Sequence, residues 1–281
     1  MPSLSQSSHS TERSKMNADS AFTIGTTHSI CQDYAIAVND GTTSYVIISD
    51  GCSTSKNTDI GARLLVQAAV QIISSEHKQA VDTLPIAASR RALQWAQHIG
   101  LSPQSIDATL LIAYSDGDDL IISASGDGVI VLETAAGAME TFAISYPSGF
   151  PFYPAYSHQP ERLGSWRSNE CAHKEIQHFL NGSSETSKSS FDTEVFRLKA
   201  SEFKHATIIS DGVHSFYRAQ ETQTSKQLNA IPMQQILTEI VSFKGGTGSF
   251  VARRLQKLKR ALSARQTHHF DDLAIGALHL G

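Results

Sequence analysis

Three times in this chain an apolar, β-branched run stops on an acid flanked by glycine: Ile47-Ile48-Ser49-Asp50-Gly51, Ala124-Ser125-Gly126-Asp127-Gly128 and Ile208-Ile209-Ser210-Asp211-Gly212. A fourth site, Asp271-Asp272, leads into Leu273-Ala274-Ile275, and a fifth, Gln32-Asp33, precedes Tyr34. Short runs of this composition read as buried strands. One Asp-Gly pair is ordinary turn chemistry. Five acidic strand ends constrain more, because acids at one edge of a sheet bring their carboxylates together. Clustered carboxylates repel and are costly to bury unpaired, and divalent cations relieve both costs. Oxygen-only ligands favour hard ions, Mg²⁺ or Mn²⁺. Glycine beside the acid lets a backbone carbonyl, such as that of Gly51, approach as a further ligand. Two such ions about 3.5–4 Å apart hold a bridging water, lower its pKa and orient it for in-line attack at phosphorus. The residues alone point to an oxygen-ligated metal hydrolase.

The surrounding pattern predicts strands near residues 22–26, 34–38 and 45–49, then helices over 58–74 and 84–97. A block of strands follows at 108–114, 120–125, 129–133 and 139–145, separated by Asp116-Gly117, Gly126-Asp127-Gly128 and Ala136-Gly137. Such spacing marks antiparallel hairpins. Residues 147–160, rich in proline and aromatics, read as an irregular loop, and 182–190 as a polar, mobile one; residues 147–194 form a flap-like insertion. Strands return at 195–198 and 205–210, helices at 231–243 and 250–262, and a strand closes the chain at 273–278. The serine-rich residues 1–20 are expected to be a disordered arm ahead of one domain spanning 21–281. The element order predicts an α+β fold: two antiparallel sheets face to face with helices outside, a four-layer α-β-β-α sandwich.

Bulk properties narrow the function. A formal net charge of -4 gives no sign of a nucleic-acid partner. No apolar run approaches the ~20 residues of a membrane span, and no signal-peptide layout opens the chain. The three cysteines, Cys31, Cys52 and Cys171, are scattered without a CxxC pair, which suits free thiols in a reducing cytosol. The absence of GxSxG argues against a serine hydrolase. Gly245-Gly246-Thr247-Gly248 lacks the following lysine of a P-loop.

In this order, from about Phe22 to Leu280, the acid-bearing segments resemble the protein phosphatase 2C (PPM) family. The resemblance implies a helix-flanked β-sandwich that hydrolyses phosphoserine and phosphothreonine on a protein substrate in the cytoplasm, opposite a cognate Ser/Thr kinase. It implies two, and with a weaker site three, Mn²⁺ or Mg²⁺ ions. Asp50 would bridge the two core ions, Gly51 would offer its carbonyl to one, and Asp211 and Asp271 would complete the other. Asp33 would hold metal-bound water, and Asp127 would share the third ion with Asp211. Asp50, Asp211 and His28 are the expected catalytic residues. The 147–194 insertion falls where the family places its variable flap.

Three departures stand out. Gln32 replaces the first acid of the family's pair. Cys52-Ser53-Thr54-Ser55 follows Asp50-Gly51 in place of a Gly- and His-containing loop. His28 stands where the family often places a phosphate-binding arginine, and an imidazolium lacks the guanidinium's two-pronged fork. Asp107 reads as structural, His268 and His269 as incidental, Tyr153, Tyr156 and Trp166 as loop anchors more than groove residues, and Lys257 to Arg260 as a solvated helix face. Two other functions compete: a non-catalytic binding or regulatory module, and a metal-dependent phosphatase of a small phosphorylated metabolite.

Overall fold

The computed structural model describes residues 16–76, 81–168, 173–221 and 226–281. Its centre follows from the period-2 alternation of the strands. In β3 (Ser44–Ser49) and β4 (Leu110–Ser115) every residue is buried, so both faces must be covered. One face of each points at a second sheet: Val46, Ile48, Leu111 and Ala113 pack with Ile130, Ile208, Ala274 and Leu278. The other face, Tyr45, Ile47, Leu110 and Ile112, packs under two helices, α1 (Thr58–Glu76) and α2 (Leu84–His98).

The five-stranded sheet runs β10-β5-β4-β3-β2, with β2 at Tyr34–Asn39, β5 at Asp119–Ser125 and β10 at Glu194–Lys199. The seven-stranded sheet runs β1-β15-β11-β6-β7-β8-β9. Its members are β1 (Asn17–Thr23), β6 (Gly128–Thr134), β7 (Met139–Ser145), β8 (Lys174–Leu180), β9 (Ser183–Ser189), β11 (Phe203–Ile209) and β15 (Leu273–His279). Each pairing in both sheets is antiparallel. The outer face of the larger sheet, with Val129, Val131, Ile209 and Ile275, packs against apolar residues of α4 (Met233–Ile240) and α5 (Phe250–Ala264). This is the α-β-β-α sandwich that the element order predicts. Among the described residues no helix is long and apolar enough to cross a membrane.

Three expectations need correction. Strand β1 begins at Asn17, so residues 17–20 are not part of a disordered arm; residues 1–15 lie outside the described residues. Polar side chains hold this strand: Asp19 Oδ2 accepts the backbone N–H groups of Val251 and Ala252 at the start of α5, and Asn17 Nδ2 donates to the Gly246 carbonyl. The stretch 182–190, expected to be mobile, is mostly β9, which pairs with β8 through a tight turn. All but the last of its residues are exposed, so it shows no apolar alternation to read. Of the flap, residues 160–167 form helix α3 (Pro160–Arg167), and the loop before it contains a 3₁₀ turn at Pro154–His158. A small third sheet, ordered β13-β12-β14, was also not foreseen; it joins β12 (Phe216–Glu221), β13 (Lys226–Ala230) and β14 (Thr267–His269).

Candidate active site

Strand register gathers the acids. Tyr34 pairs with Ser49, which sets Asp33, one residue before β2, opposite Asp50, one residue after β3. Ile209 pairs with Ile275, which brings Asp211 to the end of the sheet where β15 begins after Asp271. Asp127 sits in the turn between β5 and β6, where Gly126 takes a φ of 100° that favours glycine. Gly212 is required by closeness: a Cβ there would lie 1.7 Å from the Asp272 carbonyl oxygen. All five sequence-predicted acids therefore meet at one end of the sandwich. Asp50, Gly51, Asp127, Asp211 and Asp271 line a cavity of about 390 Å³.

Asp33 lies just behind them, 1 % exposed. Its Oδ2 accepts from Ser210 Oγ at 2.7 Å, while its buried Oδ1 has no hydrogen-bond partner. Burial pushes the Asp33 carboxyl up to about 8, with the Asp211 and Asp272 charges adding to the rise. Asp127 is also pushed up to about 8, by burial and then by Asp211. Asp50 is held well above the usual carboxylate range by burial, Asp33 and Asp211. Asp50 lies within hydrogen-bonding reach of both Asp33 and Asp211. Without a counter-cation such a group must take up protons. Among the described residues, no three Asp, Glu, His or Cys side chains close on one point as a finished metal site. Even so, an unpartnered buried carboxylate oxygen and an all-oxygen donor set suit a hard divalent cation.

The Asp271-Asp272 pair divides its work. Asp271 faces the cavity, its carboxyl raised by burial and by Asp211. Asp272, 2 % exposed, is a tie: Oδ1 accepts from Gly25 N at 2.7 Å and Oδ2 from Gln32 N at 2.6 Å. It also takes up His28, whose Nδ1 lies 3.0 Å from Asp272 Oδ2, with Nε2 3.6 Å from Asp271 Oδ1. Burial opposes protonation of His28, but the Asp272, Asp271 and Asp33 carboxylates outweigh it and raise its pKa. His28 thus faces the acids and does not line the cavity. Gln32 points elsewhere as well, donating through Nε2 to Thr58 Oγ1 at 2.6 Å.

The far wall comes from the flap. Arg162, on α3, lines the cavity and clamps Asp107, with Nη1 2.9 Å from Oδ1 and Nη2 2.7 Å from Oδ2. Its guanidinium carbon sits 4.7 Å from the centre of the Tyr156 ring. Asp107, expected to be structural, is clamped by a residue 55 positions away in sequence and also lines the cavity. Ser55 Oγ also donates to Asp107 Oδ2 at 2.8 Å, which ties the Cys52–Ser55 loop to the same clamp. Phe152, fully buried, packs edge-on against Tyr156 and Trp166. The aromatics are therefore anchors, yet Tyr153 and Tyr156 also line the cavity.

The chain belongs to the protein phosphatase 2C family, whose model matches residues 25–263. No curated protein matches it significantly by sequence. Among solved structures it is similar to a bacterial serine phosphatase, with 11% identity, 95% of this chain and 98% of that one covered, and a TM-score of 0.58. It is also similar to the serine/threonine phosphatase Stp1 of Staphylococcus aureus, with 10% identity, 93% and 94% covered, and a TM-score of 0.53. A serine/threonine phosphatase of S. agalactiae matches with 12% identity, 95% and 100% covered, and a TM-score of 0.53. At these identities the structures speak for the fold.

Proposed function

We propose that this chain is a metal-dependent phosphatase of phosphoserine and phosphothreonine on proteins. The observation that carries the reading is the crowding of Asp50 between Asp33 and Asp211, each within hydrogen-bonding reach of it, beside an acid-lined cavity. Asp50, Asp211, Asp271 and the Gly51 carbonyl are the groups that would hold two Mn²⁺ or Mg²⁺ ions, with Asp127 and Asp211 available to a third. Bound there, the ions supply charge to the phosphoryl oxygens and acidify the attacking water. Asp33, fixed by Ser210, keeps one carboxylate oxygen free to orient that water. Asp272 fixes the Gly25 and Gln32 backbones and leaves Asp271 turned to the cavity. A phosphoprotein fits better than a small metabolite because Phe150, 63% exposed, stands at the cavity wall as an apolar contact for a peptide chain.

The test is hydrolysis of a phosphothreonine peptide and of p-nitrophenyl phosphate by metal-stripped protein given Mn²⁺, Mg²⁺ or EDTA, beside Asp211→Asn. Activity restored by metal and missing in the variant is the expected result. Folded protein that hydrolyses neither substrate with any metal refutes the reading and leaves a non-catalytic binding module.

A further inference from the structure

His28 stands where the family often places a phosphate-binding arginine, and both ring nitrogens of His28 face Asp271 and Asp272. The cavity nonetheless has a cation, because Arg162 lines it. The bonding pattern of this guanidinium shows what it can still do. An arginine has five N–H donors in a planar fork. Nη1 spends one on Asp107 Oδ1 and one on Gln159 Oε1, at 3.0 Å, and Nη2 spends one on Asp107 Oδ2. Asp107 therefore occupies the end of the guanidinium. The Nε–H and the second Nη2–H remain, side by side on one edge; the Tyr156 hydroxyl lies within hydrogen-bonding reach of the guanidinium, and no carboxylate or carbonyl is bonded to either of these two N–H groups among the described residues. Two parallel donors on one edge match two oxygens of a phosphate.

The clamp also fits the guanidinium for that task. Asp107, 2 % exposed at its side chain, holds the plane by two bonds, and the Tyr156 ring covers one face. The Arg162 side chain stays 30% exposed, so the group is oriented but reachable. A flexible surface arginine would lose rotamer freedom on gripping an anion; this one has already lost it.

We propose that Arg162, presented by the flap and oriented by Asp107, is the phosphate-binding residue of this site in place of a cation at position 28. The proposal rests on the function proposed above but is tested by binding. Inorganic phosphate is titrated calorimetrically into Mn²⁺-loaded full-length protein, unsubstituted and as Arg162→Ala and Arg162→Lys. The rise in melting temperature on adding Mn²⁺ reports whether the acid cluster is intact. Losing a charge-assisted two-point contact lowers affinity by about tenfold or more. The expected result is that loss in Arg162→Ala, a smaller loss in Arg162→Lys, and an unchanged Mn²⁺ response in both. An unsubstituted protein that binds no phosphate, or phosphate affinity unchanged in Arg162→Ala, overturns the proposal. So does a loss matched by a weakened Mn²⁺ response, which would mark Arg162 as a structural clamp. If the unsubstituted protein hydrolyses nothing but Arg162→Ala still binds phosphate tenfold more weakly, the phosphatase reading fails and the phosphate site stands.

Discussion

Replacing Asp33 by asparagine should make the metal-free protein more stable, and the gain should depend on pH in a defined direction. Burial raises the Asp33 carboxyl from 3.8 to about 8 in the folded chain. A carboxyl with a raised folded pKa adds no cost below the unfolded value, where both states are protonated. The cost grows as pH climbs from about 4 to 8, because the unfolded chain releases a proton that the folded chain retains. At pH 7 the gap between 7 and 3.8 corresponds to about 4 kcal/mol of destabilisation, and at pH 5 to about 2 kcal/mol. Asparagine keeps the shape and an acceptor for Ser210 Oγ, with a weaker bond that gives back about 1 kcal/mol. The net gain at pH 7 is about 3 kcal/mol, or roughly 5–10 °C for a domain of this size. Thermal and urea unfolding in EDTA at pH 5, 7 and 8 measure it. In Mn²⁺ the advantage should shrink, because bound cations stabilise the folded parent and relieve the crowding that the substitution removes. A variant no more stable than the parent in EDTA at pH 7, or one whose gain is the same at pH 5 and pH 8, would refute the crowding argument.

Asp50→Asn should lower kcat by at least about a hundredfold while circular dichroism stays unchanged; activity near the parent's would remove Asp50 from the centre of the site. Gly212→Ala drives a Cβ against the Asp272 carbonyl oxygen, so it should cost about 2 kcal/mol or more in urea unfolding and displace Asp211, reducing activity as well. Lys174, 1 % exposed and 3.1 Å from Glu194 Oε1, is a buried ion pair. Glu194→Ala strands its amine and should cost about 3 kcal/mol, whereas the double variant Lys174→Met/Glu194→Leu should return close to parental stability in the same measurement.

The acid cluster was legible in the sequence because its placement is local. Where a β-branched run stops, the next side chain is at the sheet's edge, and antiparallel register then carries Asp33 to Asp50 and Asp211 to the start of β15. The buried strands were legible for the same reason, since each apolar position of β3 or β4 must enter one of two cores. Polar edge strands carry no such signature. Strand β9 exposes nearly all its side chains, and β1 is held by Asp19 and Asn17 bonding to a segment more than 220 residues away. Such contacts depend on tertiary approach, which no periodicity records. The roles within Asp271-Asp272 were equally hidden: strand alternation says that one faces the cavity and the other does not, but the donors at Gly25 and Gln32 N decide what the inward acid does.

The exchange between His28 and Arg162 follows the same logic one level up. A sequence comparison places a cation, or its loss, at a position; the fold decides where charge is delivered. His28 is drawn to two carboxylates that the β15 entry sets beside it, and it does not line the cavity. Arg162 delivers its charge there because Asp107, on the turn before β4, pins it from below. If that guanidinium grips phosphate, substrate binding and the docking of α3 become linked equilibria. Phosphate would then stabilise the docked flap by as much as the docked flap favours phosphate. Protection of α3 amides from hydrogen exchange should then rise on adding phosphate in the parent and stay level in Arg162→Ala. A rigid flap, already docked in full, would show no change in either.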